Sequence, residues 1–276
     1  MGAAIWVGCV TYNNTPAELE RFSISLVAAA RQAAARDVRV GLIVIDNGEV
    51  SEWQPTDLEE IRLPSEGNIG FAAGANRILA RAMADPQADA VILANPDGAF
   101  HPMSLVRLWE ASVGAPRALI EGRQFPEEHP KAYDRVTGAT LWASGACLLL
   151  PRAVIEGLGG FDERFFLYME DVDLSWRARL HGFGVRMAPR ALFMHDVLGR
   201  PSRPPIDRLN LLSQRALAHK WREASIQRRI EDELLRRGFY DSREDMPDLP
   251  GDVIEDPRAV AITGFVYPNH WAPGRW

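Results

Sequence analysis

The sequence predicts an α/β fold built on a mostly parallel β-sheet that is flanked by helices. Two observations support this prediction. Through the first two-thirds of the 276 residues, short apolar runs rich in β-branched residues alternate with segments in which apolar residues recur every three or four positions. One of these runs, residues 38–45, is apolar almost throughout, as is typical of a strand that is covered on both faces.

The first half of the chain gives its elements in a regular order. Strands are predicted at residues 5–10, 38–45, 61–63, 90–94 and 117–122. Thr15 and Glu18 form a capping box around Pro16, which starts a helix after the first strand. The apolar stripe of this helix comprises Leu19, Phe22, Leu26, Ala29, Ala30 and Ala33. Further helices are predicted from Gly70 and from just after residue 102.

After residue 122 the signals are weaker. Residues 123–138 are polar and are expected to form a loop. Residues 139–150 are expected to form a strand or a hairpin around Ser144 and Gly145. The elements predicted beyond them are a helix at 170–181 and short strands at 185–187 and 192–195.

The C-terminal part differs in character from the main sheet. Residues 207–237 are charged and periodic, which predicts one long helix, and a proline-rich tail follows. The arginines of this helix allow a membrane-surface or partner-binding role, but its acidic residues favour a helix packed across the domain. We therefore expect a main domain at 1–200 and an extension at 201–276, with Trp271 and Trp276 anchoring the tail by packing.

Composition excludes several classes of protein. The formal net charge of -6 argues against nucleic acid as the main partner, because neutralising phosphates requires an excess of basic residues. Cys9 and Cys147 lie in apolar runs and are expected to be buried and reduced. No run is long enough to span a bilayer, and the first residues show no signal peptide. We expect a cytoplasmic protein. Peripheral contact with the inner face of the membrane and assembly into a homo-oligomer are both compatible with this expectation.

Polar residues follow three of the predicted strands. The three clusters are Thr11-Tyr12-Asn13, Asp46-Asn47 and Asn95-Pro96-Asp97. In open parallel sheets the ligand crevice lies outside the carboxyl ends of the strands, so we expect the clusters to converge on one rim. The alternative for any single cluster is that Asn, Asp, Gly and Pro simply end a strand.

Two further features suggest a site for an anion and a metal ion. Residues 66–76, EGNIGFAAGAN, place a turn at a helix N-terminus that suits a diphosphate, although taken alone the segment is better explained as a tight turn. Asp97 is a candidate ligand for a hard cation, which takes only one or two carboxylates when a diphosphate supplies other oxygens. His195 is a candidate second ligand, which Mn²⁺ would accept more readily than Mg²⁺, whereas a lone histidine is more often structural.

The helix predicted from Glu170 carries carboxylates beside aromatic bulk. At about 100° per residue, Asp171 and Asp173 fall on opposite flanks of the buried stripe, so they cannot act as a pair. Asp173 has Arg177 four residues on and is expected to form an ion pair with it. Asp171 has no such partner, and a partly shielded carboxylate at a helix start can act as a general base. The alternative is that Glu170 and Asp171 merely complement the helix dipole.

A series of motifs resembles the inverting family-2 glycosyltransferases of the GT-A fold, particularly the bacterial rhamnosyltransferase-like and galactofuranosyltransferase-like members. The motifs are VTYNN (10–14), VIDNG (44–48), GNIGFAAGAN (67–76), NPDG (95–98), SGACLLLPR (144–152), GGFDERFFLYMEDVDLSWRARLHGF (159–183) and His195. They follow the order of the family and cover about residues 3–200.

The resemblance implies a role for each candidate residue. The nucleotide-sugar donor would be held by Thr11, Tyr12, Asn13, Asp46, Asn68, Gly70, Asn76, Asn95 and Asp97. The acceptor would lie against Ser144, Gly145, Phe161, Asp162 and Glu170. Asp97 and His195 would bind Mg²⁺ or Mn²⁺, and Asp171 would be the catalytic base. Asn95 replaces the first acidic residue of the family's metal-binding motif, which leaves one carboxylate there instead of two.

The activity implied by the resemblance is inverting transfer of a sugar from dTDP-rhamnose or a UDP-hexose to a hydroxyl of a glycan or lipid-linked glycan. One rival is a sugar-1-phosphate nucleotidyltransferase, but its glycine-rich first loop is missing from residues 12–14. Another is a non-catalytic protein that binds nucleotide sugars or glycans on the same fold. The presence of Asp97, Asp171 and His195 together argues against that rival.

Overall fold

The computed structural model describes residues 2–48, 56–129, 131–195, 203–249, 251–257 and 272–273. The β-strands are β1 (Ala3–Thr11), β2 (Val38–Asp46), β3 (Glu59–Leu63), β4 (Ala90–Ala94), β5 (Ala99–Phe100), β6 (Ala118–Phe125), β7 (Glu127–Glu128), β8 (Cys147–Pro151), β9 (Gly184–Met194) and β10 (Ala272–Pro273). The α-helices are α1 (Pro16–Ala34), α2 (Gly70–Met83), α3 (Ser104–Val113), α4 (Arg152–Leu158), α5 (Glu170–Leu180), α6 (Pro204–Lys220) and α7 (Ala224–Arg236).

Eight strands form one sheet in the order β3-β2-β1-β4-β8-β6-β9-β5. The first four strands in this order are parallel, as are β6 and β9, while β8 and β5 run antiparallel to their neighbours. Helices α1 and α3 cover one face, and α2, α4 and α5 cover the other. The predicted α/β architecture with a large, mostly parallel sheet is confirmed.

Local signals in the first half are reproduced closely. The capping box at Thr15 is formed, with Pro16 at the helix start, and the predicted apolar stripe of α1 is buried. Strand β4 has the predicted limits, and α2 begins at Gly70. Cys9 and Cys147 are buried free thiols. In this half of the chain, apolar periodicity and capping residues are sufficient to predict the helices and strands, because successive elements pack on the same sheet.

The single long helix predicted at 207–237 is wrong, because α6 and α7 are separate helices that pack on each other. Arg222 has a φ of 59°, in the left-handed region, and the amide of Glu223 donates to the carbonyl of Ala218 at 2.8 Å. The chain turns where Trp221 is buried edge-on against Trp176, with ring centroids 5.2 Å apart. No Gly or Pro marks this turn, so the helical period runs on through it.

Three predictions in the second half of the sheet also need correction. The strand or hairpin predicted at 139–150 contains the strand β8 from Cys147 on; before it, Ala139 and Thr140 form isolated bridges, and the amides of Ala143 and Gly145 bond to side chains of α5. The loop predicted at 123–138 contains the end of β6 and all of β7. The strands predicted at 185–187 and 192–195 are one strand, β9, which pairs with β6 across a register shift.

The C-terminal helices pack against the side of the sheet that carries α5. A separate apolar cluster joins Leu217 and Trp221 of α6 and its end to Trp142, Val172 and Trp176. None of the described helices is long and apolar enough to cross a membrane. Trp271 and Trp276 lie outside the described residues, and the domain division at residue 200 stays a prediction.

Candidate active site

Three strand ends deliver polar side chains to one rim of the sheet. Thr11 and Asp46 are register partners at the ends of β1 and β2, and Thr11 Oγ1 donates to Asp46 Oδ1 at 2.9 Å. Strand β4 lies beside β1, so Asn95 and Asp97 follow along the same rim. Tyr12 is 55% exposed there, which leaves its ring accessible to a ligand. The clusters therefore converge as the strand pattern predicts.

The start of α2 closes one side of this rim. Gly70 has a φ of 84°, and a Cβ at this position would lie 2.4 Å from the carbonyl oxygen of Phe166. The amide of Phe71 donates to the same carbonyl at 2.8 Å. Asn68 Oδ1 accepts from the Gly70 amide at 3.2 Å, and Asn47 Nδ2 donates to the Gly70 carbonyl at 2.8 Å. Only glycine allows this close approach between α2 and the segment that leads into α5.

The side-chain amide of Asn76 forms two hydrogen bonds with the backbone of Phe161. Asn76 Nδ2 donates to the Phe161 carbonyl at 2.9 Å, and Asn76 Oδ1 accepts from the Phe161 amide at 2.8 Å. Phe161 is buried and meets Phe71 edge-on, with ring centroids 6.0 Å apart. These contacts hold the start of the 159–169 segment on α2. The ligand contacts expected of both residues stay predictions.

Asp97 and His195 lie side by side at the rim, although nearly a hundred residues separate them in the chain. His195 Nε2 is 3.5 Å from Asp97 Oδ1 and 3.4 Å from Asn95 Nδ2. The other ring nitrogen, Nδ1, is 2.8 Å from Gln124 Oε1, to which its hydrogen can be donated. That hydrogen bond directs the Nε2 lone pair towards Asp97.

This pair fits a divalent cation. An oxygen and a nitrogen donor 3.5 Å apart can both reach one ion at ligand distances of about 2.1 Å. Gln124 supplies the outer hydrogen bond that metal-binding histidines usually have. Among the described residues, no three His, Cys, Asp or Glu side chains are grouped to hold a metal ion. A site with one carboxylate and one imidazole leaves room for other oxygen ligands, such as those of a diphosphate.

Asp171 is held at the start of α5 by backbone amides. Its Oδ2 accepts from the amide of Gly145 and its Oδ1 from the amide of Val172, both at 2.8 Å. Burial raises the pKa of the Asp171 carboxyl, and these two amides partly offset that rise. Part of the residue remains open to solvent. A carboxylate with these properties can accept a proton near neutral pH.

Glu170, next to it, has the opposite character. It is buried, and its Oε2 has no hydrogen-bond partner among the described residues. Burial, followed by the charge of Asp171, raises the pKa of Glu170 well above its ordinary value. Because amides stabilise the anion of Asp171 and none among the described residues does so at Glu170 Oε2, the negative charge is more stable on Asp171 than on Glu170.

Residues 144–146 connect Asp171 to Asn95, which lies beside Asp97 and His195. The amide of Gly145 binds Asp171, and the carbonyl of Ala146 accepts from the amide of Asn95 at 3.0 Å. Ser144 is buried, and its Oγ accepts from the Ala146 amide at 3.3 Å. Asp171 is thus two backbone contacts away from Asn95, which touches His195.

Asp162 and Asp173 both form an ion pair with Lys220, at the end of helix α6. Asp162 pairs with Arg164 and with Lys220 Nζ at 2.7 Å; burial works in the opposite direction, but these partners hold the pKa of the Asp162 carboxyl well below its usual range. Asp173 bonds to Arg177 and Lys220, each at 2.7 Å. The predicted ion pair of Asp173 with Arg177 is confirmed, whereas the acceptor contact expected of Asp162 stays a prediction.

Sequence reasoning missed several residues behind the site. Gln124 orients His195, and a buried ion pair of Glu121 with Lys131 lies beside the Gly145 segment. The signal that could have found them is the placement of Glu121 inside an apolar run, followed by further charges in a segment that was taken for a loop. A buried charge needs a partner, and such a partner was available nearby in the sequence.

The chain is similar to known sugar-transferring proteins along most of its length. Residues 118–216 match the family model described as glycosyltransferase like family 2. An N-acetylglucosaminyl-diphospho-decaprenol L-rhamnosyltransferase of Mycobacterium tuberculosis is 30% identical over 254 residues, covering 74% of this chain and 79% of that protein. A low-salt glycan biosynthesis hexosyltransferase of Haloferax volcanii is 23% identical over 167 residues, 52% of this chain and 54% of that protein.

Solved structures share the architecture. A mannosyltransferase from Pyrobaculum calidifontis, in complex with GDP-Man and Mn²⁺, matches with a TM-score of 0.57 at 15% identity, over 80% of this chain and 63% of that one. GalNAc-T7 with UDP, GalNAc and Mn²⁺ matches with a TM-score of 0.59 at 12% identity, over 79% of this chain and 48% of that one. The chain thus spans less than two thirds of either solved protein. These likenesses confirm the predicted type of fold.

Proposed function

This chain belongs to family 2 of the glycosyltransferases, enzymes that transfer sugars, and we propose that it performs a metal-dependent, inverting transfer with Asp171 as the general base. The observation that carries the proposal is the position of Asp171. Its carboxylate is held by the Gly145 amide, and the next residue, Ala146, bonds to Asn95 beside the pair of Asp97 and His195. A general base and a metal-binding pair near each other are what displacement of a diphosphate at an anomeric carbon requires.

The proposed step moves one proton and one glycosyl group. The acceptor hydroxyl gives its proton to Asp171, and its oxygen forms a bond to the anomeric carbon. The bond from that carbon to the diphosphate breaks on the opposite face, and the electron pair leaves with the diphosphate. Attack opposite the leaving group inverts the configuration. Burial favours the neutral form of Glu170, and a neutral carboxyl does not compete with Asp171 for the acceptor's proton.

Binding of the donor is assigned to the rim. The exposed ring of Tyr12 and the paired Thr11 and Asp46 suit a nucleoside. Asp97 and His195 are proposed to hold Mg²⁺ or Mn²⁺, which when bound neutralises charge on the leaving diphosphate. Two solved neighbours that share the fold contain Mn²⁺, which supports the use of a divalent ion.

The similar proteins suggest which donor sugar and which class of acceptor this enzyme uses. Because the protein that is 30% identical is an L-rhamnosyltransferase acting on N-acetylglucosaminyl-diphospho-decaprenol, we propose dTDP-rhamnose as the donor and a polyprenyl-diphosphate-linked glycan as the acceptor. A UDP-hexose is the alternative donor. A lipid-linked acceptor would bring the enzyme to a membrane surface.

The test is binding and turnover with defined donors. We expect dTDP- or UDP-sugars to bind in the presence of Mn²⁺, and Asp97→Asn or His195→Gln to weaken this metal-dependent binding. Asp171→Asn is expected to keep donor binding and to lose transfer. In the wild type, NMR of the product should show that the configuration at the anomeric carbon is inverted relative to the donor. Retention of configuration, or normal rates in Asp171→Asn, would rule out the proposed mechanism.

A further inference from the structure

A buried ion pair lies behind the Gly145 segment. Lys131 Nζ is paired with Glu121 of β6, and the two side chains are only 4% and 2% exposed. A buried ion pair is weak evidence for stability, since apolar residues of similar volume often serve as well. A buried charge beside a titratable group changes the pKa of that group, so the contacts of this pair with the Asp171 region are of interest.

The pair holds the backbone that leads to Gly145. Lys131 Nζ donates to the carbonyl of Trp142 at 2.8 Å and lies 3.8 Å from the centroid of the Trp142 ring. The backbone amide of Ser144 favours the ionised form of Glu121, which lowers the pKa of that carboxyl against the rise caused by burial. Lys131 therefore binds this segment at residue 142, three residues before the amide that holds Asp171.

The same pair also acts on Asp171 through its charge. Lys131 is the cation whose field favours the ionised form of Asp171. The other charged groups facing these residues are Glu170, which adjoins Asp171, and Glu128, which is paired with Arg123 and lies near Lys131. Burial lowers the pKa of Lys131, and the surrounding carboxylates oppose that shift.

We propose that Lys131, held by Glu121, is a positioning residue that fixes the amide of Gly145 against Asp171 and keeps the charge of that carboxylate. This inference rests on the proposed function for its catalytic meaning. Its physical content, the effect of Lys131 on the titration of Asp171, does not depend on turnover.

The direct measurement is the titration of Asp171 in the full chain by ¹³C NMR of aspartate-labelled protein. The Asp171 signal is identified by its loss in Asp171→Asn. In Lys131→Met we expect the pKa of Asp171 to rise by about one unit, because an opposite charge nearby favours the anion. Lys131→Arg should bring the pKa back towards that of the wild type. The acid limb of the kcat–pH profile should move to higher pH by the same amount.

Two further variants separate this effect from a loss of folding. The double variant Glu121→Gln with Lys131→Met leaves no uncompensated buried charge, so it should fold even if Lys131→Met does not. Its Asp171 pKa should still rise, but by less than in Lys131→Met, because the Glu121 carboxylate, which raises the pKa of Asp171, is removed as well. Arg215→Met removes the cation from another ion pair, that of Arg215 with Glu231, whose side chains are 11% and 7% exposed. This variant should lower the melting temperature and leave the titration unchanged.

The outcomes are distinguishable. An Asp171 pKa that is the same in the wild type, in the double variant and in any folded Lys131→Met overturns the role of Lys131, even if Asp171→Asn abolishes transfer. Active Asp171→Asn overturns the proposed base, while the titration still decides whether Lys131 acts on that carboxylate.

Discussion

The two flanks of helix α5 treat their carboxylates differently. On one flank, the carboxylate of Asp171 accepts hydrogen bonds from two backbone amides, with no ion pair among the described residues, and the residue remains partly open to solvent. On the other, Asp173 is fully buried and bound by Arg177, Lys220 and the indole of Trp221. Both lie in the first turn of the same helix, where the dipole favours an anion.

The difference lies in what faces each flank. Neutral amides stabilise an anion without cancelling its charge, so Asp171 can still take up a proton. Two cations and an indole leave Asp173 no role beyond holding α6 against α5. A carboxylate in an acidic helix start is therefore reactive or structural according to the element packed against it, and the variants below test that division.

Removing the charge at Asp171 should have the largest effect on rate. In Asp171→Asn we expect kcat to fall about 10²–10⁴-fold, the usual contribution of a general base, with donor affinity retained. The isosteric amide should change the melting temperature little. Steady-state kinetics and a thermal melt of one preparation give both quantities. A large loss of stability would mean that this flank is structural as well.

The same change at Asp173 should act on stability. Asp173→Asn leaves Lys220 and Arg177 partly unpaired in a buried place, and we expect a loss of about 3 kcal/mol in the free energy of unfolding. Protein that stays folded below its melting temperature should keep most of its kcat. Urea titrations and kinetics at low temperature check this, and a specific loss of kcat without loss of stability would contradict the division.

Lys220 forms ion pairs with two acidic residues, so replacing it tests how much the structural flank contributes to stability. It bonds to both Asp162 and Asp173, each of which keeps an arginine when Lys220 is removed. For Lys220→Met we expect a smaller loss, about 1–2 kcal/mol, because the remaining charge-assisted hydrogen bonds persist. Arg236→Met, at an exposed ion pair, is the matched control and should change the melting temperature least.

Replacing Glu170 should change how the stability of the protein depends on pH. Its folded-state pKa is raised by burial, so above its ordinary value of 4.5 the unfolded chain loses this proton before the folded protein does. The wild type therefore loses stability as pH rises through that window, and Glu170→Gln does not. We expect the variant to gain stability over the wild type as pH rises from about 4.5 towards 8 and to match it near pH 4. Melting temperatures across this range decide the sign.

Much of the fold could be predicted from local sequence. The capping box at Thr15, the apolar stripe of α1 and the limits of β4 are set by contacts within a few residues or by periodic burial. The rim follows from the parallel strands, because their carboxyl ends meet at one edge. The turn at Arg222 could not be predicted, since it depends on the burial of Trp221 against α5 and carries no Gly or Pro.

The candidate site was only partly predictable for the same reason. Asp97, His195 and Asp171 were singled out by their motifs, but no local pattern relates Gln124 to His195 or Lys131 to the Gly145 segment. Residues 123–131 look like a polar loop because buried ion pairs and exposed charges have the same composition. Only the partners distinguish the two.

In the first half of the chain, the sequence by itself determined where most strands and helices begin, which faces are apolar and which polar residues end the parallel strands. These properties depend on neighbours three or four positions away. The tertiary structure alone decided that Asp171 meets an amide 26 positions away, whereas Asp173 meets the indole of Trp221, 48 positions away. The charge state and use of a carboxylate depend on the groups within a few ångströms in space, and those groups are brought there by the fold.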